Sequence, residues 1–166
     1  MTIEITHHQA GSGEACASIL AELPEWFGQP TSNANYARHA EEGPAWIAET
    51  NGEPVAIMLL KLHFDTAVEI DLLAIRPRLH RTGLGRAFVE RANAIAAEEG
   101  AVYLTVKTLG PSDPDEAYQR TRAFYREMGF SAVEEFTEMW GPENPTLLMV
   151  KSVAATARRL PRLLET

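Results

Sequence analysis

The segment DLLAIRPRLHRTGLGRAFVERA, residues 71–92, constrains the fold more than any other part of this chain. Its apolar start predicts a buried strand, Pro77 ends that strand, and the residues after Gly85 have the apolar spacing of an amphipathic helix. Inside a helix each glycine costs about 1 kcal/mol relative to alanine. Gly83 and Gly85 at the start of a helix therefore indicate that another group must approach the bare backbone.

An anion is the group that best fits this turn. Free backbone N–H groups and the dipole at a helix N-terminus both favour phosphate. We expect Arg76, Arg81 and Arg86 to add positive charge to the same site. Two known phosphate-binding motifs do not match, because Phe88 replaces the third glycine of the dinucleotide fingerprint and no Gly-Lys-Ser/Thr sequence is present. A tight turn into the helix, without a ligand, is the alternative.

The whole chain, residues 1–166, predicts one α/β (α+β) domain with a mixed sheet and helices on both of its faces. The hydrophobic pattern gives the element order βααβββαβαββ. It predicts a first strand in residues 1–6, a second helix capped by Thr31 or Ser32, and a hairpin turn at Asn51-Gly52. Residues 152–166 are predicted to be a basic C-terminal tail, to which we assign no role.

Composition and charge argue against several classes of function. A formal net charge of −8 opposes nucleic-acid binding. No stretch approaches the roughly 18 apolar residues of a membrane span, and the N-terminus does not resemble a signal peptide. With Cys16 as the only cysteine, we expect no internal disulfide and a cytoplasmic location. The five histidines lack metal-ligand spacing, so we expect no metal.

These elements together resemble the GNAT superfamily of acetyl-coenzyme A dependent N-acetyltransferases. The resemblance covers roughly residues 45–150 and rests on the strand VEIDLLAIRP, the turn HRTGLG, the strand VYLTV and the sequence RAFYREMGF. The superfamily motif Gln/Arg-x-x-Gly-x-Gly/Ala matches at both glycines and has His80, which can also donate to phosphate, at its first position. The stretch VKTLGPSDPDEAYQRTRAFYREMGF also resembles one bacterial branch of the superfamily.

The resemblance implies that acetyl-coenzyme A is the acetyl donor. It implies that the backbone of Leu73, Ala74 and Ile75 pairs with the pantetheine arm of the donor. It also implies that the pyrophosphate is held by a run of backbone amides, those of Arg81, Thr82, Gly83, Leu84, Gly85 and Arg86. Tyr118 stands where most members have an asparagine that touches the cofactor.

The acceptor amine must lose a proton before it attacks the thioester. Glu69 and Asp71 are two residues apart on the strand before the turn and hence on one face. The resemblance implies a base on this strand, and we favour Glu69 over Asp71. It also implies that Tyr125 protonates the departing coenzyme A thiolate. The alternatives are a solvated strand face with two acids and a core tyrosine.

Aromatic and acidic residues are concentrated where the superfamily builds its acceptor pocket, namely Trp26, Phe27, Tyr36, Trp46, Glu25, Glu41 and Glu42. We predict that Trp26, Phe27 and Tyr36 bind the acceptor, and that a cationic acceptor with an apolar body would suit them. The alternative is that these rings only pack the N-terminal helices onto the sheet.

Three hypotheses of function follow. The first is direct transfer of acetyl, through a tetrahedral intermediate, to the primary amine of a small molecule. The second is transfer to a protein or peptide amine, and the third is a non-catalytic sensor that binds acyl-coenzyme A. A homodimer that pairs edge strands near residues 132–150 is a further hypothesis.

Overall fold

The computed structural model describes residues 3–153. Over that range the strands and helices follow the predicted order, with one additional 3₁₀ turn at Pro77–Leu79. The strands are β1 Ile5–His8, β2 Ala45–Thr50, β3 Glu53–His63, β4 Ala67–Ile75, β5 Tyr103–Leu109, β6 Ser131–Phe136 and β7 Thr146–Ser152. The helices are α1 Gly13–Ala21, α2 Pro30–Glu42, α3 Leu84–Glu98 and α4 Glu116–Glu127.

The strands form one sheet in the order β1-β2-β3-β4-β5-β7-β6. All neighbouring strands are antiparallel except β4 and β5, which are parallel because α3 connects them. One apolar cluster packs α3 and α4 on the sheet through residues such as Phe88 and Tyr125. A second cluster packs α1 and α2 on the opposite face through residues such as Ile19 and Ala40. The mixed sheet with helices on both faces is thus confirmed.

The centre of the sheet opens where β4 and β5 part. These strands pair only between residues 67–70 and residues 103–106. The register between β3 and β4 shifts at the same level, because Ile70 pairs with Leu60 while Leu72 pairs with Leu59. Asp71 is therefore an extra residue in a β-bulge. Beyond it, residues 71–75 keep β3 on one side and have no strand on the other among the described residues.

Several local predictions can be compared with the structure. The turn at Asn51 and Gly52 is confirmed, and both residues have a positive φ, 53° and 77°. The first strand lies at Ile5–His8, later than predicted. The predicted cap of α2 is wrong, because Pro30 occupies the first helical position and Gln29 precedes it. Proline is favoured there, since its fixed φ suits a helix and its missing N–H has no intrahelical partner to lose.

The C-terminal boundary also differs from the prediction. Ser152 is the last residue of β7 and pairs with Tyr103, and Val153 is buried. These two residues therefore belong to the fold rather than to a tail. The remainder of the predicted tail, residues 154–166, lies outside the described residues. The edge-strand hypothesis changes as well, because β7 lies inside the sheet and only β6 of that pair lies at its edge.

Candidate active site

A cleft of about 1030 Å³ occupies the gap between β4 and β5. Its walls come from these two strands, α4, the turn before α3 and the α1–α2 connection. Most of the residues predicted for the site line it, namely Trp26, Phe27, Tyr36, Asp71, Leu73, Ala74, Ile75, Arg81, Gly83, Gly85, Arg86, Tyr118 and Tyr125. Glu69, Thr82 and Leu84 do not line it, since Glu69 and Leu84 are buried and the Thr82 hydroxyl donates to Leu79 O.

The two glycines before α3 serve different purposes. Gly83 has a φ of +90°, which is unfavourable for any residue with a Cβ, and the space around it is open. It is the N-cap of α3, and no side chain caps the first turn of this helix. A Cβ on Gly85 would lie 3.1 Å from the Phe124 ring, so Gly85 lets α3 pack closely on α4. The group that closely approaches the Gly85 backbone is therefore the Phe124 ring of the protein itself.

The predicted arginines divide into two groups. Arg81 and Arg86 line the cleft beside the start of α3, as expected of groups that attract an anion. Arg76 was predicted to join them, and this is wrong. Its guanidinium is buried away from the cleft, donates to Pro54 O (2.9 Å) and Ser18 Oγ (2.8 Å), and pairs with Glu22. Arg76 thus joins β4 to α1, because a buried charge needs such partners.

His80 lines the cleft, and its side chain is hydrogen-bonded to the protein backbone. Its Nε2 is 2.7 Å from the carbonyl oxygen of Ile75. Because a carbonyl only accepts, Nε2 carries the proton and donates to Ile75. The edge of the imidazole meets the Trp26 ring, with 5.6 Å between the ring centroids. The Nε2–H group of His80 therefore fixes the end of β4, and the expectation that it donates to phosphate is corrected.

The two candidate bases lie on the same face of β4 but in different surroundings. Glu69 is buried, forms an ion pair with Lys107 Nζ at 2.9 Å and contacts His63. Burial raises the pKa of Glu69, but hydrogen bonds from Lys107 and His63 lower it more, so the net pKa is below its usual value. Asp71 lines the cleft. The geometry therefore favours Asp71 over Glu69, the reverse of our sequence-based preference.

Asp71 is held by two side chains that the sequence analysis did not select. Lys61 Nζ lies 2.9 Å from its Oδ1, and His39 Nδ1 lies 3.3 Å from its Oδ2. Lys61 comes from β3 and His39 from α2. His39 is about one third exposed, with a side-chain accessibility of 31%, whereas Asp71 is at 13%. The imidazole thus connects the carboxylate in the cleft to solvent.

Tyr125 and Tyr118 lie on the same helix but differ in the use of their hydroxyl groups. Tyr125 is packed between Phe124 and Phe130, burial raises its pKa, and no hydrogen bond holds its hydroxyl within residues 3–153. Its O–H group is therefore protonated and able to donate into the cleft. Tyr118 instead donates to Trp26 O at 2.6 Å, and burial followed by the charge of Asp115 raises its pKa to about 12.

The α1–α2 connection crosses the cleft to reach α4. Trp26 Nε1 donates to Thr121 Oγ1 at 3.0 Å, in addition to the Tyr118 contact. The Phe27 and Tyr36 rings meet edge to face, with 6.2 Å between their centroids. We call residues 23–29 the strap, because they join the layer of α1 and α2 to α4.

The predicted acidic part of the acceptor pocket is not found in the cleft. Trp46 stacks on His7, with 4.8 Å between the ring centroids, and is buried in the apolar cluster that packs α3 and α4 on the sheet. Glu41 accepts from the backbone N–H of Gly13 at 3.0 Å, and Glu25 lies 3.6 Å from Arg120 on the surface. Glu41 therefore joins α2 to α1 and Glu25 lies beside α4, and none of Trp46, Glu25, Glu41 and Glu42 lines the cleft.

The cleft residues that the sequence did not indicate include Lys107, Thr108 and Trp140. The Thr108 hydroxyl is buried and has no hydrogen-bond partner among the described residues, which is unusual for a buried polar group. Lys107 and Thr108 directly follow the buried strand VYLTV, so their position beside the parting strands could have been inferred. No sequence pattern indicated Trp140, which comes from the connection between β6 and β7.

Comparison with known proteins identifies this architecture. The model of the acetyltransferase (GNAT) family matches residues 14–130. The chain belongs to the GNAT family. It is therefore an acyltransferase that uses an acyl-coenzyme A donor. A sequence comparison with curated proteins gave no match.

Solved GNAT structures share the fold at low sequence identity. A protein from Desulfovibrio desulfuricans described as a GNAT-family acetyltransferase is 14% identical, with 91% of this chain and 100% of that chain covered and a TM-score of 0.76. The ribosomal-protein-S18-alanine N-acetyltransferase from Escherichia coli is 18% identical, with 95% of this chain and 99% of that chain covered and a TM-score of 0.68. An aminoglycoside 6'-N-acetyltransferase complexed with coenzyme A is 16% identical, with 89% of this chain and 97% of that chain covered and a TM-score of 0.67.

Two further findings concern residues 3–153 alone. No helix in this part of the chain is long and apolar enough to cross a bilayer. Within the same residues, His, Cys, Asp and Glu side chains form no group of three or more that could hold a metal ion. The thiol of Cys16 is buried, and burial raises its pKa to about 11, which makes it a poor nucleophile at neutral pH.

Proposed function

We propose that this chain is an N-acetyltransferase that transfers acetyl from acetyl-coenzyme A to the primary amine of a small molecule. One observation carries the proposal: a single cleft brings together the uncapped start of α3, the free side of β4, the Asp71 carboxylate and the Tyr125 hydroxyl. These are the groups that an anionic donor, an ammonium acceptor and a thiolate leaving group require.

The donor fits the residues along one side of the cleft. The pyrophosphate would lie at the first amides of α3 beside Arg81 and Arg86, where the left-handed Gly83 leaves open space. The pantetheine arm would add to the unpaired side of residues 73–75, as an extended chain adds to a sheet edge. The donor supplies the activated acetyl group as a thioester.

The residues of this chain move the two protons. Asp71 accepts a proton from the acceptor ammonium, so that the nitrogen lone pair can attack the thioester carbonyl and the C–S bond can break. His39 is hydrogen-bonded to Asp71 and partly exposed, so it passes that proton to solvent. Tyr125 gives its hydroxyl proton to the departing thiolate. It regains a proton, through water, from the second N–H that the nitrogen loses as the tetrahedral intermediate collapses to the amide. The raised pKa of Tyr125 keeps the proton in place until the thiolate forms.

The experiment is to incubate the protein with acetyl-coenzyme A and a panel of primary amines and to follow release of free thiol. The panel contains simple monoamines, polyamines, an aminoglycoside and peptides with a free N-terminus. We expect amine-dependent thiol release with small molecules. Release with peptides alone would instead support the protein acceptor, and tight donor binding without release on any amine would support a sensor.

A further inference from the structure

The cleft that contains Asp71 is also lined by aromatic rings. Phe27 and Tyr36 meet edge to face in the cleft wall, and Tyr36 is near enough to Asp71 for that charge to add to the effect of burial on the tyrosine pKa. Trp140 also lines the cleft and is 44% exposed. Partly exposed rings offer flat apolar surface to a ligand.

Charge near these rings is already balanced. Asp71 is paired with Lys61 and hydrogen-bonded to His39, so its negative charge is largely neutralised. Glu69, the next acid along β4, is buried and paired with Lys107. An acceptor with one ammonium can give its proton to Asp71, but further ammonium groups would find no free carboxylate here.

The other charged groups of the lining are mostly paired or assigned to the donor. Arg81 and Arg86 lie where the donor pyrophosphate is proposed to bind. Lys107 is paired with Glu69, and Arg120 lies 3.6 Å from Glu25. Among the lining residues, Glu127 at the end of α4 is the one carboxylate without an ion-pair partner within residues 3–153. The cleft therefore offers few carboxylates to the further ammonium groups of a polycation.

We propose that the acceptor is a monoamine with a flat apolar body, of the arylalkylamine class, and that polyamines and aminoglycosides are poor acceptors. This inference rests on the proposed function and narrows its substrate. The rings of Phe27, Tyr36 and Trp140 hold the apolar body, and Asp71 receives the ammonium proton.

The test compares kcat/KM for phenethylamine and tryptamine with kcat/KM for spermidine and kanamycin, by thiol release at saturating acetyl-coenzyme A. We expect the aryl monoamines to be at least about tenfold better, because an apolar pocket discriminates by that order of magnitude. Equal or higher kcat/KM for spermidine or kanamycin would overturn the inference while the proposed function stands. Absence of thiol release with every amine, although the donor binds, would overturn both.

Two variants test the charge argument directly. Lys61→Gln removes the partner of Asp71, and Arg78→Gln removes the same charge from a surface pair with Glu53 outside the cleft. The readout is the ratio of kcat/KM for spermidine to kcat/KM for phenethylamine. Any effect of the substitution on Asp71 as the base applies to both amines and therefore cancels in this ratio. We expect this ratio to rise about fivefold or more in Lys61→Gln and to stay unchanged in Arg78→Gln. An unchanged ratio in both variants, or an equal rise in both, would overturn it.

A third variant tests the role of the rings. Tyr36→Leu keeps an apolar side chain but removes the flat ring from the cleft. We expect kcat/KM for phenethylamine to fall about tenfold and kcat/KM for ethylamine to change less than twofold, because only the larger amine reaches the rings. An equal loss for both amines would show that Tyr36 does not contact the apolar body and would contradict the inference.

Discussion

The Tyr125 hydroxyl lines the cleft, has no hydrogen-bond partner within residues 3–153 and has a raised pKa. Replacing it by phenylalanine therefore removes a proton donor without leaving a buried polar group unpaired. We expect Tyr125→Phe to lower kcat about 100-fold, with little change in KM for acetyl-coenzyme A or in the melting temperature. Steady-state kinetics and thermal unfolding measure these quantities. Undiminished kcat would remove Tyr125 from the reaction.

The two acids of β4 should respond differently to substitution by their amides. Asp71 lines the cleft, so Asp71→Asn should lower kcat/KM about 100-fold. Glu69 does not line the cleft, so Glu69→Gln should retain most of the activity. Steady-state measurement of kcat/KM for the two variants distinguishes these roles. Loss of activity in Glu69→Gln with a fully active Asp71→Asn would reverse our assignment.

Glu69 should instead determine how stability varies with pH. Its pKa is lower in the folded chain than its usual value of 4.5, so the charged form favours the folded state. That contribution is fully present above the unfolded pKa and is lost as the pH falls through the folded pKa. We expect Glu69→Gln to lower the free energy of unfolding by about 2 kcal/mol at pH 7. Below about pH 4.5, the stability of this variant should fall less steeply with decreasing pH than that of the wild type. Urea titrations at several pH values provide the test, and parallel acid profiles would contradict it.

At the scale of elements, the start of α3 gives a matched pair of substitutions. Gly83→Ala places a Cβ on a left-handed residue and should cost about 1 kcal/mol of stability. Gly85→Ala gains helix propensity of about 1 kcal/mol but displaces the Phe124 ring, so its stability should change less. Because Phe124 lines the cleft, Gly85→Ala should still raise KM for acetyl-coenzyme A severalfold. Denaturant unfolding and donor kinetics check both. A stable Gly83→Ala variant would contradict the backbone argument.

The strap is held to α4 by a hydrogen bond whose acceptor can be removed with little change of shape. Thr121→Val eliminates the oxygen that accepts from Trp26 Nε1. We expect a loss of about 1 kcal/mol in stability, a red shift of tryptophan fluorescence and a severalfold rise in KM for the acceptor amine. Thr6→Val is the control, because the Thr6 hydroxyl donates to the backbone carbonyl of Ile47, as the Thr121 hydroxyl donates to that of Ala117, and Thr6 lies outside the cleft. Equal effects of both substitutions on acceptor KM would show that the strap does not shape the acceptor site.

At the scale of the whole molecule, the order of elements could be predicted because hydrophobic period and turn residues are local properties. The pattern from Ala67 to Ile75 and the Asn51-Gly52 turn are examples. Which charges pair across elements could not be predicted. Arg76 reaches Glu22 and Asp71 reaches His39, contacts that depend on how α1 and α2 pack on the sheet. The bulge at Asp71 is likewise decided by register with β3.

The same distinction between local properties and contacts between elements explains which residues of the candidate site could be predicted. The backbone groups of the donor side follow from one continuous segment, residues 71–92, and most of the residues predicted to bind the donor line the cleft. The acceptor side is assembled from α2, β3, β5 and the β6–β7 connection, which are distant in sequence. Lys61, Lys107 and Trp140 were therefore missed. The pairing of β6 with a second copy of the chain stays a prediction.

The most direct test of the account is whether the protein converts an aryl monoamine and acetyl-coenzyme A into the acetylated amine in this cleft. Mass spectrometry of the product, with thiol release measured in the same reaction, gives the stoichiometry. We expect one acetylated amine for each thiol released, and an approximately 100-fold slower reaction in both Asp71→Asn and Tyr125→Phe. Binding of acetyl-coenzyme A without any acetylated amine, or product formation at the wild-type rate in both variants, would contradict it.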